Sequence, residues 1–333
     1  MSVSSGRSRR SPRPFSTGRR NNRPGRPGMA FDGLLVIDKP AGPTSHDVVA
    51  RVRRLLGVRR VGHGGTLDPD ATGVLLVAVG QATRFFPFFS KEDKVYEGTI
   101  RLGFATDTYD ASGRPSTEES RDLPGHEDLA GAMKYFEGTI LQTPPSYSAK
   151  KIGGKPVYKL ARAHIEFTLK PSVVTVEWFR LRDYRPPFAV FETKCSAGTY
   201  VRSLAHDLGQ RLGCGAHLET LRRTSVGPYA LDDAVTLAAL EEPGGKDKAA
   251  ALILPLERLI PEVPAVTVLP EAEPRIRNGA ALGPAHLSPP LPGAPLFPRE
   301  ACVLRMFGES GRLLALARPS PDGESLHPFL VIT

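Results

Sequence analysis

The chain has 333 residues, 40% of them hydrophobic, and its three cysteines (Cys195, Cys214 and Cys302) lie far apart with no C-x-x-C pair. That length can bury a sizeable core in two domains or one large one, while the cysteine usage argues against zinc or a disulfide framework and fits a cytoplasmic protein. No apolar run approaches the roughly 18 residues of a membrane span, and of the formal charge of +9, eight units sit on arginines within residues 1–28, which contain no acid.

Residues 1–28 are built from Ser, Pro, Gly and Arg with almost nothing to bury, so a disordered tail is predicted. An Arg/Ser-rich, acid-free start also describes a transit peptide, but Val3 and Phe15 are too few to form an apolar helix face. A basic arm near a polyanion is the better reading. Residues 31–38 alternate into a strand ending in the loop Asp38-Lys39-Pro40-Ala41-Gly42-Pro43-Thr44-Ser45, with Ser45 at the N-cap of a helix that buries Val48, Val49, Val52, Leu55 and Leu56.

Residues 61–80 carry the sharpest signal. A glycine-rich turn (Gly62, Gly64, Gly65) delivers one carboxylate, Asp68, followed by Pro69 and the apolar run Val74 to Val79. Proline pushes the preceding residue toward an extended conformation, so Asp68 is predicted at the tip of a stiff loop ahead of a buried strand. Rival motifs fit poorly. Gly62-His63-Gly64 opens like a dinucleotide fingerprint, but Leu67 stands where the third glycine belongs. Asp68-Pro69-Asp70-Ala71-Thr72 looks like the D-x-D-x-T phosphotransfer signature, which requires a preceding buried strand, and a glycine–histidine stretch is a poor one. His63, Asp68 and Asp70 have no specific metal-ligand spacing, and Asp70 is read as a turn-capping residue.

Strands are predicted at residues 94–104, 173–184 and 188–195, a polar loop at 107–119 and a helix at 129–136. Residues 145–162 carry Lys150, Lys151, Lys155, Lys159 and Arg162 with no acid, plus Tyr147, Tyr158 and the pair Gly153-Gly154, a composition suited to folding over a nucleic acid. A glycine turn at Gly198 leads into an amphipathic helix over 203–212, with Leu204, Leu208 and Leu212 on one stripe. Arg202 falls on its first turn, where a cation opposes the helix dipole. That placement calls for a buried carboxylate or phosphate partner, which a guanidinium binds best. Short apolar runs at 265–269, 301–307, 312–317 and 329–332, flanked by proline-rich stretches, suggest a small C-terminal β-barrel.

Several of these segments occur in the order of one family: Leu35-Val36-Ile37-Asp38-Lys39-Pro40-Ala41-Gly42, Gly62-His63-Gly64-Gly65-Thr66-Leu67-Asp68-Pro69-Asp70-Ala71-Thr72-Gly73, Asp93-Lys94-Val95-Tyr96, Thr106-Asp107-Thr108, Pro145-Ser146-Tyr147-Ser148-Ala149, Gly198-Thr199-Tyr200-Val201-Arg202 and Leu221-Arg222-Arg223. Over residues 31–235 the chain resembles the bacterial tRNA pseudouridine(55) synthases. The resemblance implies an α+β pseudouridine-synthase fold, a mixed, mostly antiparallel sheet with flanking helices and a central cleft. After the compositional tail at 1–28, it implies a catalytic domain at 29–260 with an RNA-gripping insertion near 145–165, and a PUA-like RNA-binding barrel at 261–333.

It also implies isomerisation of a uridine in the tRNA T-loop by a monomer, without cofactor or metal. Asp68 takes the family's catalytic aspartate position, Tyr96 its stacking tyrosine and Arg202 its ion-pair partner, with Asp107 as the aspartate that helps hold the arginine. His63 matches the histidine that fills the gap left in the RNA by the flipped base, Leu221 the residue packed on the uracil, and Tyr200 and Lys39 line the cleft. The reaction breaks the N1–C1′ bond and joins C1′ to C5, so one carboxylate can serve by attacking C1′ or C6 or by abstracting a ribose proton. A pure RNA-binding module and a magnesium-dependent phosphatase are the competing readings.

Overall fold

The computed structural model describes residues 31–148, 151–152, 155–157, 167–288 and 303–332. The predictions for the tail and for Lys150, Lys159 and Arg162 lie outside the described residues. Of Lys151 and Lys155 only the backbone is described, in a hairpin pairing Lys151–Ile152 with Lys155–Pro156.

Strand β1 (Gly33–Lys39) leads into helix α1 (Ser45–Leu56). The helix cap is Thr44 rather than Ser45: Asp47 N donates to the Thr44 hydroxyl at 3.1 Å while the Asp47 carboxylate accepts from Thr44 N at 2.9 Å, a reciprocal capping box. Ser45 is buried and serves elsewhere, its Oγ accepting from Leu67 N (3.0 Å) and donating to Leu67 O (3.1 Å). The glycine–histidine stretch does form a strand, β2 (Val61–Gly64), because it pairs antiparallel with β3 (Thr72–Val79), from Val61↔Val79 to Gly64↔Leu76. Sheet pairing overrides weak propensity there.

The chain continues through β4 (Lys94–Leu102), α2 (His126–Lys134), β5 (Gly138–Gln142), β6 (Ser172–Arg185), β7 (Phe188–Cys195), α3 (Val201–Leu212) and β8 (Ala216–Val226). Their order in the main sheet is β1-β3-β8-β4-β7-β6-β5. Neighbours among these seven strands are antiparallel except β3 and β8, which run parallel and share only the register pairs Arg222↔Thr72 and Arg223↔Gly73, while Val235–Thr236 adds a short parallel pairing on the outer edge of β1. That narrow seam is where the sheet parts into a cleft. It requires a glycine: Gly73 has φ 98°, and a Cβ there would stand 2.1 Å from Arg223 O.

Strand β3 is buried on both faces, as its unbroken apolar run predicts. Leu75, Val77 and Val79 pack with Val48, Val49 and Val52 of α1. Val74, Leu76 and Ala78 face the other way, toward Leu313, Leu316, Leu330 and Ile332 near the C-terminus. Beyond the seam, α2 and α3 cover β4, β6, β7 and β8 in a third apolar cluster. The C-terminal residues build a second sheet from β9 (Ala265–Val268), β10 (Leu304–Gly308), β11 (Leu313–Pro319) and β12 (Leu326–Val331), with Leu287–Ser288 on β9. The segment 282–288 touches both edges, pairing Leu282 with Leu326 and Leu287 with Val268, so the sheet curls toward closure. The fold is α+β, with a mixed, mostly antiparallel main sheet. The second sheet shares a core with β1 and β3, so it is packed into the body rather than strung beside it.

Candidate active site

The loop between β2 and β3 presents Asp68, and the chain around it is tied at several points. Lys39, at the end of β1, is wholly buried and its Nζ donates to three carbonyls: Pro40 O (2.9 Å), Pro69 O (2.8 Å) and Ala71 O (2.7 Å). Two of these belong to the loop, and Gly42 N adds a bond to Pro69 O at 3.0 Å. Ser45 holds Leu67 from the helix side. Among the turn glycines, Gly65 has a positive φ (91°), whereas Gly62 is needed because a Cβ would meet the Phe86 ring at 2.9 Å.

Arg202 meets this loop from α3. Its Nη2 donates to Asp68 Oδ1 at 3.3 Å and its Nε lies 3.1 Å from Asp68 Oδ2, so the ion pair engages both carboxylate oxygens. Nη2 also donates to Tyr147 O (3.0 Å), and Nη1 to Thr108 O (3.3 Å) and Asp110 Oδ2 (3.1 Å). Every edge of the guanidinium is therefore occupied, which accounts for a buried cation on the first turn of a helix. The turn itself lacks a side-chain cap. The buried amide of Gln142 instead brackets Tyr200, accepting from its N–H at 2.7 Å and donating to its carbonyl at 3.1 Å.

The aspartate that steadies Arg202 is Asp110, not the expected Asp107. Asp107 is exposed, and its carboxylate accepts from Arg114 N at 2.8 Å to close its own loop. The backbone turns at Tyr109, whose φ of 65° sends Asp110 inward. Asp110 Oδ1 is fixed in turn by Thr108 Oγ1 (2.7 Å) and Ser112 N (3.1 Å).

Asp68 opens on a cavity of about 410 Å³ whose lining includes Tyr96, Tyr200, Arg202, Leu221 and Arg223. Burial pushes the Asp68 carboxyl above its ordinary value and Asp110 and Asp70 add to that, while Arg202 and Lys39 oppose it. The side chain is nonetheless 45% exposed into the cavity, so it is both held and reachable. Tyr96, buried on β4, is kept neutral chiefly by desolvation. It stands directly opposite Arg223 of β8, whose nearby positive charge opposes that effect. Arg223 Nε donates to Val74 O (2.7 Å) and Nη2 to Gly65 O (3.1 Å), binding the glycine turn to the seam.

His63 takes a different place. It lies on β2 with its ring edge-on to His46 of α1, 5.0 Å between centroids, outside the cavity lining. Desolvation, with His46 and Arg223 nearby, pushes its pKa down to about 4, so it is a neutral ring. The structure thus brings together Asp68, Tyr96, Arg202, Tyr200 and Leu221, with Lys39 beneath the loop. Lys94, Asp110, Gln142 and Arg223 join them without having been singled out from sequence. Strand parity offered a signal for two of these, because Lys94 shares a face with Tyr96 and Arg223 with Leu221. Among the described residues no group of three or more His, Cys, Asp or Glu side chains could hold a metal ion.

Residues 53–201 match the TruB family pseudouridylate synthase N-terminal domain, and residues 202–261 the tRNA pseudouridylate synthase B C-terminal domain. The tRNA pseudouridine synthase B of Solibacter usitatus is 46% identical over 249 residues, covering 75% of this chain and 85% of that one. That of Syntrophobacter fumaroxidans is 42% identical over 292 residues, 88% and 94% of the two chains. Among solved structures, a Cbf5-Nop10-Gar1 complex aligns with a TM-score of 0.68 at 27% identity, covering 91% of this chain and 85% of that one. An H/ACA RNP bound to a substrate RNA containing 2′-deoxyuridine aligns with a TM-score of 0.66 at 26% identity, 91% and 86%. With matches of this extent over both halves of the cleft, the chain belongs to the TruB family of pseudouridylate synthases.

Proposed function

We propose that this protein isomerises a uridine of the tRNA T-loop, position 55 in the family's substrate, to pseudouridine, with Asp68 as the reacting carboxylate. The observation that carries the reading is the bidentate Arg202–Asp68 pair on the wall of a cavity that also presents Tyr96 and Leu221. A desolvated acid beside a fixed guanidinium stays charged where water is scarce. The target atoms lie inside a stacked loop, so the nucleotide is flipped out, and the cavity offers Tyr96 and Leu221 as apolar faces for the base. The base leaves C1′ through N1 and returns through C5, whose proton is exchanged for one on N1. Atoms balance without an added group, and one carboxylate covers the steps at C1′ or C6.

RNA is the partner. The 145–162 segment is read as the gripping insertion, with Lys150, Lys151, Lys155, Lys159 and Arg162 toward phosphates. Its root touches the chemistry, because Tyr147 O accepts from Arg202. The second sheet is read as a PUA-like RNA-binding domain, with Arg275 and Arg277 exposed beside it. A monomer acting on tRNA in the cytoplasm completes the proposal. No helix among the described residues is long and apolar enough to cross a membrane. The test is to incubate T-arm RNA with the protein in EDTA and map pseudouridine. Formation at the T-loop uridine supports the reading, and an unchanged RNA overturns it.

A further inference from the structure

Thr108 and Asp110 both bind Arg202, yet they sit on a loop with no regular secondary structure, and Tyr109 between them adopts a left-handed φ of 65°. A bulky L-residue avoids that region unless its surroundings impose it. The imposing contact is visible. The Tyr109 ring lies flat on the His206 ring, with centroids 3.7 Å apart and planes 12° off parallel. His206 follows Arg202 by one turn of α3, on the same face. The backbone of Tyr109 is pinned as well: its carbonyl accepts from Leu218 N at 3.0 Å and its N–H donates to Thr106 O at 3.3 Å. The His206 Nδ1 is buried and makes no hydrogen bond, so the ring is held by stacking rather than by a polar partner.

We infer that Tyr109 and His206 are positioning residues for the isomerisation. Their stack docks the 106–113 loop on the helix that carries Arg202 and sets the turn presenting Thr108 O and Asp110 to the guanidinium. Through that guanidinium it orients Asp68. The two rings touch neither the cavity nor the base. They act by keeping Arg202 in one rotamer, so that both carboxylate oxygens of Asp68 stay engaged while the cavity fills. The inference rests on the proposed function.

The test is steady-state kinetics on T-arm RNA for Tyr109→Gly, Tyr109→Phe, His206→Ala and the Gly/Ala double variant. Glycine accepts the left-handed backbone without strain, so Tyr109→Gly removes the ring while sparing the fold. We expect kcat to fall about tenfold or more in Tyr109→Gly and in His206→Ala, with KM within about threefold, as small misplacements of reacting groups do. Tyr109→Phe keeps the stack and should stay within about twofold of the parent, and the double variant should be no worse than the poorer single, since coupled residues are not additive. A Tyr109→Gly enzyme with parental kcat overturns the inference, as does a Phe variant as poor as the Gly variant or a loss confined to KM. If His206→Ala fails to fold, the Gly–Phe comparison decides alone. A parent that makes no pseudouridine defeats the proposed function, whereas an active parent matched by Tyr109→Gly defeats only the stack.

Discussion

Arg202 stands at 3.1 Å from Asp110 Oδ2, the same distance that separates its Nε from Asp68 Oδ2. The guanidinium is thus suspended between two carboxylates, one facing the cavity and one turned away from it. The inner pair fixes the arginine so that the outer pair can be spent on substrate chemistry. Asp110→Asn should lower kcat roughly tenfold to a hundredfold, about 1.4–2.7 kcal/mol of transition-state stabilisation. Asp107→Asn, three residues earlier and exposed, should change it less than about threefold on the same scale. Equal losses in the two variants would remove Asp110 from its place behind Arg202.

Asp68→Asn is the direct test of the reacting group. The amide keeps the shape of the loop, which Lys39, Gly42 and Ser45 hold through backbone atoms. Turnover should vanish, while tRNA affinity stays within about a factor of ten, ~1.4 kcal/mol. Pseudouridine formed at more than a trace by the Asn variant would exclude Asp68 as the nucleophile.

Arg202→Met should cut turnover severely and reshape its pH dependence. The Asp68 carboxyl already lies above the ordinary carboxylate range because it is desolvated, with Arg202 the largest influence pulling it down. Removing that influence raises it further, and the active form is the ionised one. Activity is therefore lost at a higher pH as the solution is acidified, and the residual rate of the variant should climb through the neutral range. A residual rate that is flat from about pH 5 to 9 would break the pairing argument. Rate profiles of parent and variant on one RNA provide the comparison.

Much of this site is legible in the chain. Asp68 is exposed by its context, a glycine turn before it, a proline after it and an apolar run beyond, and Arg202 by the cost of a cation at a helix start. Residues whose role depends on a backbone turn or on register are harder to read. Thr106-Asp107-Thr108-Tyr109-Asp110 contains two acids, and only the left-handed turn at Tyr109 decides which faces Arg202. Arg223 gains its role from lying opposite Tyr96 across β4 and β8, a pairing between residues distant in sequence. Strand β2 has almost no propensity of its own and exists because β3 offers it an edge.

The tail makes a separate prediction, from composition alone. Its eight arginines precede Phe31, where the compact body begins. Removing residues 1–28 should leave the melting temperature and the turnover at saturating tRNA nearly intact. Each arginine that meets a phosphate releases a counterion, so three or four such contacts would flatten the slope of log affinity against log salt by ~2–3 units on truncation. Identical slopes for full-length and truncated protein would mean that the tail does not touch RNA.

The C-terminal sheet should prove inseparable from the catalytic body. Leu313, Leu316, Leu330 and Ile332 pack in the same apolar cluster as Leu34, Val36, Val74 and Leu76 of β1 and β3. Polar ties follow the same path: Arg305 donates to Val263 O at 2.8 Å and to Pro261 O at 2.9 Å, and Arg84 donates to Val331 O. β3 is the strand that follows the Asp68 loop, and its Val74 O anchors Arg223. Cutting the chain after residue 264 would remove Leu313, Leu316, Leu330 and Ile332 from the cluster that covers one face of β1 and β3, so the truncated protein should lose its cooperative melt and its activity together. Leu316→Ala is the milder probe. Leu316 is wholly buried, and such a truncation typically costs ~2–5 kcal/mol. The loss should appear as one lowered transition for the whole molecule, followed by both near-ultraviolet circular dichroism and pseudouridine formation. Two separate transitions, or a 31–264 fragment that melts like the parent, would instead make the second sheet a detachable module.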